Sequence, residues 1–357
     1  MKKIILILLL LIPLNICAID TSATSSILMD IDSNRILYGD NIHNIRSVAS
    51  ISKIMTAVVA IESGKLNDKV TIGNEINKSY GSGIYIKEGE ILTLRDLVYG
   101  LMLRSGNDAA LAIANYVGGS IDNFVDLMNK KAKKLKMNNT TFNNPSGLDQ
   151  DKGNYSTVYD MALLTSYAMK LDEYKKITSK KKYTLTTNKN TYVWINKNKL
   201  LSLYKYTTGG KTGFTEIAKR TLVTTASKNK INLVVVTLND GNDWQDHQNL
   251  FEYGFNNYTN INLLKKGNIN IYDDLYYEDY DLYIKKDFNY LIGNNEEDSV
   301  IFKYDLEKKR KIKKGDKIGT INIYIGEEKI HEEFIYIKEK QKETTVFTKI
   351  KDWIFNI

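Results

Sequence analysis

The order in which apolar patterns occur along the chain limits its fold more than any other feature. Residues 25–41, SSILMDIDSNRILYGDN, read as two short strands around a DSN turn. Residues 219–240, KRTLVTTASKNKINLVVVTLND, are two β-branched apolar runs around SKNK, a hairpin signal. Between them lie helical periods: a helix opening near Ser47, 92–105 with Thr93 as cap, 108–119 with a glycine stop, 122–137 with a basic outer side, and 157–170. Residues 183–196 alternate like strands about a turn, and 243–255 return to helix. Strands at both ends of a helical interior predict an antiparallel sheet whose first and last strands meet, covered by helices. This is an α/β (α+β) sandwich, not a doubly wound parallel fold.

The helical periods vanish from about residue 262, and 262–340 read as a small all-β domain. The last segment, 344–357, changes again. Val346, Phe347, Ile350, Trp353, Ile354 and Ile357 fall on one helical face, with Thr348, Lys349, Lys351, Asp352 and Asn356 on the other and Phe355 off the pattern. An amphipathic helix carrying Trp and Lys suits a membrane interface, and a helix docked back onto the protein is the competing reading. At the other end Lys2 and Lys3 precede the apolar run Ile4–Ile12, with Ala18 as cleavage point. That is the layout of a signal peptide over 1–18, so export to the extracytoplasmic face of the cell membrane is expected. The run falls short of the about 20 apolar residues of a membrane span. Ile16 sits where a small residue is preferred, and Cys17 leaves lipid modification as an alternative. The main domain is then 19–258.

Cys17 is the only cysteine, so the processed chain has none. A cysteine nucleophile, a disulfide framework and a thiolate metal site are excluded together. His43, His247 and His331 sit in no nucleophile-elbow context and read as surface or packing residues. The net charge of +8 is spread over short runs at 130–136, 179–183 and 307–314. Export and the lack of a recognition motif argue against nucleic acid; the runs read as solvated faces, with weak attraction to anionic wall polymer or lipid as an addition.

The chemistry concentrates in three short motifs. Ser-x-x-Lys occurs at Ser50–Lys53 and also at Ser179–Lys182, Ser202–Lys205 and Ser227–Lys230. The last three lie in polar or turn segments, where a lysine stays solvated. Ser50–Lys53 opens the apolar run IMTAVVAI, and its i, i+3 spacing puts both side chains on one face a turn apart. A desolvated lysine has a depressed pKa and can act as base for a serine hydroxyl. Ser52 adjoins Lys53 and points elsewhere. Ser105-Gly106-Asn107 follows in a tight loop between two helices, and Lys211-Thr212-Gly213 just before the hairpin strands. Each three-letter match alone reads better as a loop or a strand turn. All three in this order match the serine acyl-transfer set.

With these motifs the chain resembles the low-molecular-weight penicillin-binding proteins, serine-type D-alanyl-D-alanine carboxypeptidases. The likeness spans SVASISKIMTA, LMLRSGNDAALAIANYVGGS, FNNPSGLD, YSTVYDMALL and GGKTGFTE, and the β domain and amphipathic tail follow the family's layout. Lys219 and Thr221 stand where glycine and cysteine are common. The resemblance implies that Ser50 attacks the penultimate D-alanine carbonyl and Lys53 takes its proton. Ser105 relays a proton to the leaving amine with Lys211. Asn107 bonds a substrate amide and orients Lys53. Thr212 and Lys211, with Arg220, receive the terminal carboxylate, and the N–H groups of Ser50 and Phe214 form the oxyanion hole. It implies no cofactor or metal. The implied partners are a peptidoglycan stem peptide ending in D-Ala-D-Ala, β-lactams as covalent inhibitors and a membrane surface. Three rivals remain. A β-lactamase would carry Ser-Asp-Asn in place of Ser105-Gly106-Asn107 and a Glu-centred loop. A D,D-endopeptidase uses the same residues. A non-catalytic wall binder has no need of Lys53 or Lys211.

Overall fold

A computed structural model describes residues 19–149, 152–271 and 275–340. The expected signal peptide over 1–18, with Cys17, and the expected amphipathic helix at 344–357 lie outside the described residues. The chain divides into two compact units, the first ending at Gly254 and the second beginning at Phe255. The sequence reading carries the first domain on to 258.

The first unit is built on a five-stranded antiparallel sheet. Its strands are β1 (Ser25–Asp30), β2 (Ile36–Asp40), β3 (Thr207–Thr215), β4 (Lys219–Lys228) and β5 (Ile231–Leu238), in the order β2-β1-β5-β4-β3. The first strand meets the last: β1 pairs with β5 in the register Ile27↔Val236 and Met29↔Val234. β1 is buried along its whole length, as a central strand covered on both faces must be. The β4–β5 turn sits on Asn229 and Lys230, both with positive φ, as a tight two-residue hairpin requires.

Alternation along the strands sorts the two faces. Ile27, Met29, Val223, Val234 and Val236 join the large core shared with the helices. These helices are α1 (Lys53–Glu62), α2 (Leu94–Arg104), α3 (Asn107–Gly118), α4 (Ile121–Lys134), α5 (Val158–Ala168) and α6 (Asp172–Thr178). α1 is apolar almost all round because it is central, packing on α2, α3, α4, α5 and α6. Thr93 caps α2 in a reciprocal capping box with Asp96. On the opposite face of the sheet, the single turn α7 (Leu200–Leu203) is followed after β3–β5 by α8 (Asp243–Asn257). A Cβ on Gly254 would lie 2.7 Å from Leu233 Cδ1 and 3.1 Å from Leu28 Cδ2, so glycine lets α8 seat closely on that face. His247 is buried there between Thr224 and Thr237, and burial pushes its imidazole down to about 3. It is a neutral packing histidine.

The second unit has a five-stranded antiparallel sheet in the order Gly267–Ile269, Tyr280–Ile284, Glu328–Lys340, Lys317–Ile325, Val300–Leu306. Tyr258–Leu264 pairs separately with Phe288–Gly293. Leu282, Ile284, Ile318, Ile321, Ile323, Ile335 and Ile337 form its core. No described helix is long and apolar enough to cross a membrane.

Candidate active site

The first motif straddles a change of helix type. Ala49–Ser52 is a 3-10 turn that runs directly into α1 at Lys53. Ala49 holds φ +49°, a left-handed conformation that costs a non-glycine residue about 1–3 kcal/mol and calls for outside support. The support is the loop Asn143–Asp149. Gly147, at φ +80°, comes so close that a Cβ there would sit 2.1 Å from the Ala49 carbonyl oxygen. Asn144 folds that loop by accepting from the N–H groups of Ser146 (3.1 Å) and Gly147 (2.6 Å). Thr56 of α1 donates to the Pro145 carbonyl at 2.7 Å. Ser52, the second serine, donates to the Ala49 carbonyl at 2.8 Å and is fully buried.

Lys53 is wholly buried, with its Nζ 3.0 Å from Ser50 Oγ. It donates to Asn107 Oδ1 at 2.7 Å and to the Ser146 carbonyl. Burial, helped by the nearby Lys197 charge and opposed by Asp108, brings Lys53 from the usual lysine range down to about 7. About half of it is therefore neutral at pH 7, a form that can accept a proton. Ser50 itself is half-buried, its hydroxyl 3.4 Å from the Ser146 carbonyl.

The second motif sits between α2 and α3. Ser105 caps α2 in the left-handed region at φ +63°, which reverses the chain and lets α3 begin at Asn107. The Asn107 amide also donates to the Tyr80 carbonyl at 2.6 Å, which ties Lys53 to the segment 79–85. Asp108 secures the same segment, accepting from the N–H groups of Ile84 (3.0 Å) and Tyr85 (2.6 Å).

The third motif lies on the edge strand β3. Lys211 is 1% exposed and points to the helical side, its Nζ 3.0 Å from Ser105 Oγ. Burial first, then the charges of Lys53 and Lys197, push its pKa well below the usual lysine value. Gly213 passes over the start of the 3-10 turn: a Cβ there would lie 3.0 Å from the Ser50 nitrogen and 2.4 Å from Thr221 Oγ1. Glycine at this position leaves the space in front of the Ser50 N–H open.

A cleft of about 300 Å³ runs along this edge, lined by Ser50, Ser105, Thr212, Phe214, Arg220 and Asp243 among others. All eight residues singled out from the sequence therefore converge: six line the cleft or hold its serines, and Lys53 and Asn107 lie immediately beneath Ser50. Arg220 is already paired, with Nε 3.1 Å from Asp243 Oδ2 and Nη2 on the other oxygen. Sequence reasoning missed the Ser146 carbonyl, which binds Lys53, and the Asp243 carboxylate. The first acts through its backbone, which carries no residue signature. The Pro-Ser-Gly turn around it was the available signal. No group of His, Cys, Asp and Glu among the described residues could hold a metal ion.

Fold and site together define a serine acyl-transfer class: a helix-borne serine and lysine, a second serine and lysine facing them, and an edge strand beside both. The profile of the family described as D-alanyl-D-alanine carboxypeptidase matches residues 15–242, and that of the penicillin-binding protein 5 C-terminal domain matches 258–343. The chain belongs to the serine-type D-alanyl-D-alanine carboxypeptidase family. Its relatives include D-alanyl-D-alanine carboxypeptidase DacC of Escherichia coli, 31% identical over 93% of this chain and 87% of the relative. DacF of Bacillus subtilis is 36% identical over 60% of this chain and 56% of its own length. Penicillin binding protein 5 from Haemophilus influenzae superposes with a TM-score of 0.74 at 28% identity, covering 90% of this chain and 98% of that one.

Proposed function

We propose that this chain removes the terminal D-alanine from peptidoglycan stem peptides ending in D-Ala-D-Ala, through an acyl-enzyme on Ser50. The observation that carries this is the 3.0 Å approach of a fully buried, pKa-depressed Lys53 to Ser50 Oγ. The Ser50 oxygen bonds to the carbonyl carbon of the penultimate D-alanine as its proton passes to Lys53 Nζ. The oxyanion faces the N–H groups of Ser50 and Phe214, each such donor contributing about 3–4 kcal/mol in comparable enzymes. The C–N bond to the terminal residue then breaks, and its nitrogen takes the Ser105 hydroxyl proton, which Lys211 replaces across 3.0 Å. The Asn107 amide gives one hydrogen to the Tyr80 carbonyl and offers the other to the peptide, while its oxygen keeps Lys53 aimed. The substrate's terminal carboxylate meets Thr212, Lys211 and Arg220. Its charge opposes the burial that lowers the Lys211 pKa and so favours the protonated lysine. Water then attacks the acyl carbonyl and gives its proton back to Lys211 through Ser105, and the Ser50 oxygen leaves with the proton held on Lys53.

β-Lactams present a reactive amide carbonyl and a carboxylate in the same relation, and acylate Ser50. A signal peptide over 1–18 and the helix at 344–357 would put the enzyme on the extracytoplasmic face of the membrane, where that substrate is found. The test is release of D-alanine from a pentapeptide ending in D-Ala-D-Ala, abolished in Ser50→Ala. A wild-type chain that releases none contradicts the reading and favours a binding protein. Rapid turnover of penicillin with no lasting adduct favours a β-lactamase.

A further inference from the structure

The sheet register places Arg220 next to the residue that meets the substrate's terminus. Arg220 pairs with Phe214 and Leu222 with Thr212 across β4 and β3. Directly paired residues project to one face, so Thr212, Phe214 and Arg220 lie together on the side that carries α8. Asp243 is the first residue of α8 and only 3% exposed. Its two oxygens take Nε and Nη2 of Arg220 as a fork. The Trp244 indole lies 5.7 Å from the guanidinium carbon. The Arg220 side chain is nevertheless 43% exposed, and it lines the cleft with Ser50 and Thr212.

An arginine on an edge strand loses several freely rotating bonds when it closes on a ligand, and that cost weakens binding. Asp243 removes it in advance, because a carboxylate buried in the sheet–helix contact has no other geometry to follow. We propose that Asp243 is a positioning residue for recognition of the substrate's free carboxylate: with Trp244 it holds Arg220 beside Thr212 as a preformed cation. The proposal rests on the carboxypeptidase reading above. A plain charge-neutralising role makes the opposite prediction, since freeing Arg220 from its partner would then strengthen carboxylate binding.

Two peptides of one sequence separate these roles, one ending in the free D-Ala-D-Ala carboxylate and the other in its C-terminal amide. The quantity read is the ratio of kcat/KM for acid over amide, which does not depend on how much enzyme is folded. Asp243→Asn should lower that ratio about tenfold, mainly through KM of the acid, and Arg220→Gln should do the same. Asp243→Glu should recover part of it, and Asp243→Asn should add nothing in the Arg220→Gln background. An unchanged or increased ratio in Asp243→Asn overturns the proposal, as does an equal loss on both peptides. Wild type that releases no D-alanine from the acid overturns the functional reading and this proposal with it. Release with an unaltered ratio overturns this proposal alone.

Discussion

The two units of this chain bury different kinds of side chain. The second has an aliphatic core of Ile318, Ile321, Ile323, Ile335 and Ile337, and among its described residues Glu333 is the buried charged group. The first buries Lys53, Lys211, Asp108, Asp160 and Asp243. Burying a charge is costly unless it is paired or loses its proton, so such groups mark sites where something other than stability is maintained. Asp243 is paired with Arg220, and Lys53 and Lys211 are pushed toward neutrality. The catalytic unit concentrates internal strain and desolvation around Ser50.

That contrast can be broken at several points. The largest effect is expected from Lys53→Met, which keeps the volume and removes the base. Acylation by a β-lactam, followed by stopped-flow or gel capture, should fall about 10²–10⁴-fold. A fall below about threefold would mean that Ser50 has another activator. Gly213→Ala puts a methyl 3.0 Å from the Ser50 nitrogen and 2.4 Å from Thr221 Oγ1. Loss of about 10²–10³-fold in acylation is expected, the size of an oxyanion-hole defect. Retained rates would move the oxyanion elsewhere.

The pH profile gives a smaller and graded effect. Lys53 acts as base only when neutral, and its pKa is lowered to about 7. Acylation should therefore rise about tenfold per pH unit below that value and level off above it. Removing the Lys197 charge in Lys197→Gln takes away one of the influences that depress Lys53, so the midpoint should move upward. A flat profile between pH 5 and 8, or a downward shift, contradicts the assignment. The smallest effect on acylation belongs to the β unit. Ile323→Ala should cost that unit about 2–5 kcal/mol, read in its own unfolding transition, and leave the acylation rate unchanged. A matching loss of acylation would show that the two units are not functionally separate.

Much of the fold could be read from pattern alone, because the elements carry local signals. Met29 and Val234 sit in runs whose alternation announces strands, and Thr93 and Asp96 form a cap that a sequence can show. The edge strand β3 was harder: TTGGKTGFT has three glycines and no apolar alternation, and only its ladder with β4 makes it a strand. Ser50 and Lys53 were legible from their spacing and the apolar helix that follows. Ser105, Asn107, Lys211, Thr212, Phe214 and Arg220 became legible only when the three motifs were read together and in order, and the Ser146 carbonyl and Asp243 were not legible at all, for two physical reasons. The Ser146 carbonyl is a backbone group that any residue could supply. Asp243 differs from other surface-segment acids only in being enclosed, and enclosure is a property of the packed chain.

Ser50 is expected to be the one acylated nucleophile. Intact-mass analysis of the full chain after penicillin treatment, with peptide mapping, tests it most directly. A single adduct of one drug molecule is expected on the peptide containing Ser50, and none in Ser50→Ala. An adduct that maps to Ser52 or Ser105, or that persists in Ser50→Ala, contradicts it.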